Sequence, residues 1–155
     1  MNIKKSHYLG FTLIEVLIVI AIGIVIFSVI FKTFSVFNER QELYREVEKI
    51  GTILKEAHSK TLFSKYDTSY GVHLESTRVV LFRGNSFVES DIYNTEYILS
   101  SALQITSINL NGNGNDILFA ELSGETSQYG TTTISSLTTG ETKDIVIRAT
   151  GIIEF

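Results

Sequence analysis

The chain has 155 residues with a net charge of −4 at pH 7, and it contains no cysteine and no proline. Without cysteine it has neither a disulfide framework nor thiol chemistry. Residues 63–155 carry five basic and eleven acidic side chains. This acidic balance opposes the electrostatic attraction that dominates non-specific affinity for nucleic acid, so nucleic acid is a disfavoured partner.

A polar N-terminal segment precedes a long apolar run. Lys4 and Lys5 lie in the polar segment, Gly10 ends it, and residues 11–31 are apolar except for a few small polar residues and Glu15. The core of a secretory signal peptide is shorter, about 7–15 residues. A helix over 11–31, rising about 1.5 Å per residue, is long enough to cross a bilayer. We therefore predict a transmembrane helix there, with a cytoplasmic N-terminus and the rest of the chain outside.

Glu15 is the charged residue of this run. A charged side chain at the centre of a bilayer costs about 2.5–3.5 kcal/mol by the conservative scales, so a compensating partner is expected. Cleavage of the Gly10–Phe11 bond would create an α-amino group one helical turn before Glu15, and a neighbouring subunit would bring another. The spacing therefore indicates a role in assembly.

Residues 4–31 closely resemble the class III leader and helix of the type IV pilin superfamily, which includes pilins, minor pilins and type II secretion pseudopilins. The residues that carry the resemblance are Lys4, Lys5, Gly10, Phe11 and Glu15. Many members have a proline within the helix and a C-terminal disulfide. This chain has neither, since it contains no proline and no cysteine.

The resemblance implies a processing and assembly pathway. Prepilin peptidase would remove residues 1–10 and N-methylate Phe11, and Glu15 would serve assembly. The implied partners are this peptidase, other pilin or pseudopilin subunits, an inner-membrane assembly platform and membrane lipid. The protein would be a single-pass inner-membrane protein first, and part of a pilus or pseudopilus later.

Residues 32–62 continue the helix with an amphipathic pattern. Apolar residues recur at helical spacing at Val36, Leu43, Val47, Ile50, Leu54 and Ala57. We predict a helix that is continuous from Phe11 to about Leu62. Its apolar stripe, formed by Leu43, Val47, Ile50 and Leu54, is expected to pack on a C-terminal head. A coiled-coil stalk is the competing interpretation of the stripe.

Residues 63–155, the head, show the pattern of β-strands. Short runs rich in β-branched and aromatic residues lie between turn residues, at 70–74, 77–83, 97–99, 104–110, 116–122, 131–134 and 143–148. Gly151 is expected to break the last strand before Ile152 and Ile153. The prediction is an α+β fold, a pilin-like lollipop whose long N-terminal helix packs on one antiparallel sheet or two small ones.

The head also resembles H-type pseudopilins and T-type minor pilins. The short motifs that carry this second resemblance lie at 57–62, 70–74, 80–84, 117–119 and 145–152. Such proteins are minor components, suited to priming or capping a filament.

Candidate catalytic and metal-binding residues are sparse. His7, His58 and His73 show no zinc-type spacing such as H-E-x-x-H, so ordinary packing or polar roles are expected for them. No G-x-S-x-G or serine-lysine motif is present. We therefore expect no enzyme activity, no metal and no cofactor.

A cluster of asparagines raises the question of a calcium loop. Its members are Asn109, Asn111, Asn113, Asn115 and Asp116, with Gly112 and Gly114. An EF-hand loop needs spaced carboxylates and a terminal glutamate, which this segment lacks. A glycine-rich hairpin turn is the favoured interpretation.

Three functions remain open from the sequence. The first, which we favour, is a noncatalytic structural subunit of a type IV pilus or a type II secretion pseudopilus. The second is a DNA-binding minor pilin, whose candidate phosphate contacts are Arg78, Arg83, Lys143 and Arg148. The third is a membrane-anchored binding domain that never assembles.

Overall fold

The computed structural model describes residues 10–63 and 68–155. These residues form one long helix, α1 (Leu13–Leu62), followed by eight strands. The strands are β1 (Tyr70–Leu74), β2 (Arg78–Arg83), β3 (Thr95–Ile98), β4 (Leu103–Leu110), β5 (Asp116–Leu118), β6 (Gly130–Ser136), β7 (Thr142–Ile147) and β8 (Ile153–Glu154). The chain divides into two compact units, residues 1–37 and 38–155.

The strands build two four-stranded antiparallel sheets. The first has the order β3-β2-β1-β5, and the second has the order β4-β6-β7-β8. The second sheet carries an irregularity in β4, where the register shifts between Ile105 and Ser107. The predicted α+β class, a helix packed on antiparallel sheets, is confirmed.

The first unit exposes its apolar side chains. Large hydrophobic residues along the helix from Leu13 to Phe37 are between about half and four-fifths exposed wherever their side chains are described. Among the residues that the structure describes, no helix meets the length and hydropathy that crossing a membrane requires. The membrane-spanning role of residues 11–31 stays a prediction.

The second unit has one hydrophobic core, shared by α1 and both sheets. Leu43, Val47, Ile50 and Leu54 are at most 3% exposed. They belong to one cluster with inward-facing residues of both sheets, including Val72, Leu74, Val79, Ile105, Ile134, Ile145 and Ile147. The helical stripe is thus part of the chain's own core, which leaves the coiled-coil alternative without support.

Polar contacts fasten the same helix to both sheets. The Tyr97 hydroxyl of β3 donates a hydrogen bond to the Glu46 carboxylate, and the Lys49 ammonium lies 3.8 Å from the centre of the Tyr97 ring. Burial, followed by the hydrogen bond to Glu46, raises the pKa of Tyr97 above its usual value. Arg40 and Glu141, just before β7, form an ion pair at 2.9 Å.

The loop between β2 and β3 covers the outer face of the first sheet. Phe87 of this loop stacks on His73 with ring centres 4.0 Å apart, and it meets Phe82 edge-on at 5.8 Å. Phe82 in turn lies over Gly71, where an added Cβ would come within 2.4 Å of the phenylalanine ring. This face therefore has an aromatic cover, which the strand pattern in the sequence did not predict.

The strand predicted at 116–122 ends early, at Leu118. Phe119 is buried. The backbone turns after it, and a hydrogen bond from the Gly124 N–H to the Ala120 carbonyl at 2.9 Å closes this turn. Leu122 adopts a φ of 66° and is exposed. Such a φ is incompatible with a strand, so the prediction for residues 119–122 is wrong.

The hairpin predicted at Asn111–Asn115 is also wrong. β4 and β5 flank this segment, but they lie in different sheets. Leu110 pairs with Gly130 in the second sheet, whereas Asp116 pairs with His73 in the first. The segment does turn, and it carries the chain from one sheet to the other.

The shared core makes a testable prediction at Leu54. Leu54→Ala should lower the free energy of unfolding of the full chain by about 2–5 kcal/mol, because it leaves a cavity where α1 meets the sheets. Urea unfolding in detergent measures this change. Leu137→Ala is the matched control, since Leu137 is exposed, and it should change stability by no more than about 0.5 kcal/mol. Equal effects of the two variants would contradict the placement of the stripe in the core.

Candidate functional site

The N-terminus of α1 is closed by two reciprocal hydrogen bonds. The Glu15 N–H donates to the Thr12 hydroxyl at 3.3 Å, and the Thr12 N–H donates to the Glu15 carboxylate at 3.5 Å. Thr12 immediately precedes the first helical residue, Leu13. This is a capping box, in which side chains accept from backbone N–H groups at the start of the helix. The Glu15 N–H also donates to the Thr12 carbonyl, at 3.1 Å.

The sequence analysis did not predict the capping role of Glu15, although the sequence contains the signature of a capping box. The order Thr12-Leu13-Ile14-Glu15 fits the T-x-x-E spacing that starts a helix. Glu15 also lies in the first turn, where a carboxylate interacts favourably with the helix dipole. Its carboxylate therefore has a local structural role in addition to any role between subunits.

The predicted cleavage position lies directly before this cap. Phe11 is 83% exposed, and a Cβ added to Gly10 would meet nothing within 4 Å. The glycine is therefore not required by packing within the described part of the chain. Lys4, Lys5 and His7 lie outside the described residues.

The basic residues that were candidates for phosphate binding do not converge on one face. Arg78 and Arg83 lie on β2 of the first sheet, whereas Lys143 and Arg148 lie on or just after β7 of the second. Arg83 lies over the Tyr93 ring at 5.3 Å. The four side chains thus belong to two different sheets.

Arg78 is fully engaged by acidic neighbours. Its guanidinium donates hydrogen bonds to the carboxylates of Glu75, Glu89 and Glu96. These contacts raise its pKa, and the hydrogen bond from Arg78 is the largest cause of the lowered pKa of Glu75. A guanidinium shared among three carboxylates has little capacity left for a phosphate.

The other two candidates also have partners. The Lys143 ammonium lies 4.4 Å from the Tyr44 ring centre. Arg148 pairs with Glu154 at 2.8 Å, and this hydrogen bond raises the pKa of Arg148 and lowers that of Glu154. Together with the acidic balance of the head, these contacts give the DNA-binding alternative no structural support.

The histidines of the described chain have packing and polar contacts. The ring of His58 meets Phe119 edge-on at 5.3 Å. His73 has a carboxylate near each ring nitrogen, Asp116 at 2.5 Å and Glu75 at 3.4 Å. Within residues 10–63 and 68–155, no group of three or more histidine and acidic side chains is arranged to hold a metal ion.

Part of the asparagine cluster, namely Asn109, Asn111 and Asn113, lines an open surface depression with Tyr129 and Thr131. Its formal charge comes from Asp116, and that carboxylate is bonded to His73. Asn111 donates its side-chain amide to the Ser127 carbonyl at 2.9 Å. The segment is therefore tied into the sheets rather than open as a set of cation ligands.

Comparison with known proteins adds two findings. Residues 5–31 match the model of the prokaryotic N-terminal methylation motif. The fold is similar to that of the minor pseudopilin EpsH from the type 2 secretion system of Vibrio cholerae, with a TM-score of 0.56 and 16% sequence identity. This likeness covers 73% of the present chain and 94% of the EpsH chain in the solved structure. No sequence match was found among curated proteins.

The ion pairs of Arg78 predict how the protein responds to acid. The folded state lowers the pKa of Glu75, so the contribution of this pair to stability is present above the unfolded pKa of Glu75 and is lost as pH falls through the folded pKa. Arg78→Met should raise the pKa of Glu75, and the variant should lose less stability than the wild type as the pH falls. A carboxyl NMR titration together with urea unfolding at several acidic pH values measures both.

Arg148→Met is the control for this prediction. It breaks a similar pair with Glu154 elsewhere in the head, so it should leave the titration of Glu75 unchanged. A Glu75 titration that Arg78→Met does not move would show that Arg78 is not the main cause of the shift.

Proposed function

We propose that the chain is a type IV pilin-like protein and a noncatalytic structural subunit, a minor pilin or pseudopilin. The match of residues 5–31 to the prokaryotic N-terminal methylation motif and the fold similarity to a minor pseudopilin support this. In this proposal prepilin peptidase removes residues 1–10 and N-methylates Phe11. The mature subunit then enters a type IV pilus or a type II secretion pseudopilus through its N-terminal helix. The assembly platform of the inner membrane and the neighbouring subunits are its partners.

One observation carries the proposal. A methylation motif over residues 5–31 coincides with an uncovered Gly10–Phe11 bond that is followed directly by the Thr12–Glu15 cap. Gly10 has no packing role in the described chain, so a requirement for a small residue there is better explained by a peptidase site. In this proposal the amine formed at Phe11 becomes a neighbour of the Glu15 carboxylate.

The exposed apolar side chains of residues 11–31 support the same proposal. A helix that is apolar on all sides needs cover from lipid or from other helices. We propose that lipid of the inner membrane covers this segment before assembly, with the N-terminus cytoplasmic and the head outside. Helices of neighbouring subunits replace the lipid afterwards.

Glu15 gives that assembly a preferred register. Apolar packing between helices is non-directional, so it fixes no axial position. A charge-assisted hydrogen bond between the Glu15 carboxylate and the Phe11 ammonium of a neighbour has a short optimal distance. Entry into the filament should therefore depend on Glu15 more than entry into the membrane does.

The first test concerns processing. Gly10→Val should accumulate precursor in a peptidase-competent host, because a β-branched side chain replaces the hydrogen of glycine next to the scissile bond. Intact-mass and N-terminal analysis of the native protein gives the result. Wild-type protein should begin at a methylated Phe11, and retention of residues 1–10 by the wild type would remove the basis for the proposal.

The second test separates the charge of Glu15 from its capping role. Glu15→Gln keeps a side chain that can complete a capping box but removes the charge, whereas Thr12→Val removes the hydroxyl and keeps the charge. We expect Glu15→Gln to reach the membrane at wild-type abundance and to enter sheared filaments or crosslinked complexes poorly. Thr12→Val should enter them nearly as well as the wild type.

If Thr12→Val were incorporated poorly and Glu15→Gln normally, Glu15 would serve helix capping alone. Normal incorporation of both variants, with wild-type protein also incorporated, would show that the pair is dispensable. Wild-type protein that is cleaved but never incorporated would favour a membrane-anchored domain that does not assemble.

A further inference from the structure

β3 is the edge strand of the first sheet, and its free side can be identified from the hydrogen-bond register. The Leu99 N–H bonds to the Thr77 carbonyl at 2.9 Å. These two residues lie one step beyond the Arg78–Ile98 pair of β2 and β3, so they form a hydrogen-bonded pair that continues the ladder. In an antiparallel ladder such pairs recur at every second residue. Tyr97 and Thr95 therefore face β2, and the backbone N–H and C=O groups of Glu96 and Ile98 face outward.

No strand among the described residues pairs with this outward side. An open edge of this kind is a template for another strand. The backbone groups of Glu96 and Ile98 supply two donors and two acceptors for such a strand.

Exposed apolar side chains lie on β3 and in the loop that leads into it. Ile98 on β3 is 69% exposed, and Ile92 in the preceding loop is 86% exposed. Val88 and Tyr93 of the loop are also exposed. We call Val88, Ile92, Tyr93, Ile98 and the outward backbone of β3 the edge patch. Its loop is held in place, because the Asn94 amide donates to the Val88 carbonyl at 2.8 Å.

Other sheet edges are less open to pairing. At β5 the Leu118 N–H already donates to the Gln128 side chain at 3.2 Å. At β4 the register shifts after Ile105, and the Ile105 N–H bonds to the Ser76 carbonyl at 2.9 Å. β8 contains only Ile153 and Glu154. Exposed isoleucine side chains and unpaired backbone groups therefore occur together at β3.

The charge around the edge patch restricts what can bind there. Glu89, Asp91 and Glu96 lie in the loop and on β3, and Glu75 lies beside Arg78. Arg78 and Arg83 are basic residues of the neighbourhood, and Lys49 lies over the Tyr97 ring of β3. Together with Glu46, which accepts a hydrogen bond from the Tyr97 hydroxyl, the acidic side chains outnumber these basic ones. A second copy would bring another acidic head, with eleven acidic and five basic side chains over residues 63–155. Like charges across an interface are unfavourable, so a basic partner fits better.

We propose that the edge patch binds an extended segment of a different subunit, which adds to β3 as a fifth strand and carries alternating apolar and basic side chains. The backbone of the added strand bonds to Glu96 and Ile98, its apolar side chains cover Ile98 and Ile92, and its basic side chains lie beside Glu96 and Asp91. Main-chain pairing supplies affinity and the alternate side chains supply specificity. The idea that the donor is a neighbouring subunit rests on the proposed function above.

The strand addition itself is tested on the purified full chain in detergent. The probe is a blocked peptide of alternating valine and lysine, and the matched control is a peptide of alternating valine and glutamate. We expect the lysine peptide to slow hydrogen exchange at the Glu96 and Ile98 amides, and the glutamate peptide to leave it unchanged. Absence of protection at these two amides, or equal binding of both peptides, would overturn the proposal.

Three variants sharpen the binding measurement. Ile98→Lys places a positive charge on the patch, like those of the lysine peptide. It should weaken binding of that peptide by about tenfold or more. Glu96→Pro removes an N–H that faces away from β2, so the sheet should persist while the peptide loses a bond. Leu137→Lys changes an exposed leucine of the second sheet's β6–β7 turn, and it should bind like the wild type. Normal binding by both edge variants would contradict the proposal.

A crosslinking experiment in cells identifies the natural occupant. A photoreactive residue at Ile98 should give a product with a different subunit, mapped to a segment with apolar and basic alternation, and the same residue at Leu137 should not. A product of twice the chain's mass would assign the edge to self-association, and a lipid adduct would assign it to the membrane surface. Peptide binding without any incorporation of wild-type protein would defeat the proposed function while leaving the strand-binding edge intact.

Discussion

The burial of one helical stripe is the constraint on which the rest of the fold depends. The two sheets share no strand pairing in the described chain, and without cysteine no disulfide can join them. Leu43, Val47, Ile50 and Leu54 place the inner faces of both sheets in one cluster with the helix. Removal of the stripe would leave two small sheets with open inner faces, and small sheets without such packing are at best marginally stable in water.

Periodicity explains why much of the fold could be predicted. The three- and four-residue spacing of the stripe identified its buried face, and alternation identified the strands to within a few residues. Strand ends and partners were less predictable. The apolar content of residues 116–122 does not reveal the positive φ of Leu122, which depends on the turn that follows. The turn residues at Asn111–Asn115 indicate a change of direction, but they do not specify that the next strand joins the other sheet.

The residues of the candidate site were easier to predict from the sequence than their contacts. Gly10, Phe11 and Glu15 stand out because their chemistry is unusual next to an apolar run. The reciprocal bonds between Thr12 and Glu15 were equally visible as a T-x-x-E spacing, but the interpretation of Glu15 as an assembly group obscured them. The open side of β3 could not be found this way, because it depends on pairing between distant segments. The aromatic cover of Phe87 over His73 likewise joins a loop to a strand that precedes it.

Glu15 caps its own helix, and in the proposed assembly it also binds the ammonium of a neighbouring subunit. Its carboxylate accepts a hydrogen bond from the Thr12 N–H, so part of its capacity is used within its own helix. A carboxylate has two oxygens and about four acceptor positions, so capping does not exclude an ammonium partner. The cap instead fixes the direction in which the acid is presented. A pre-positioned acid loses less side-chain entropy when a partner arrives. In the proposed assembly it would supply the directional contact that sets the register within a non-directional apolar surface.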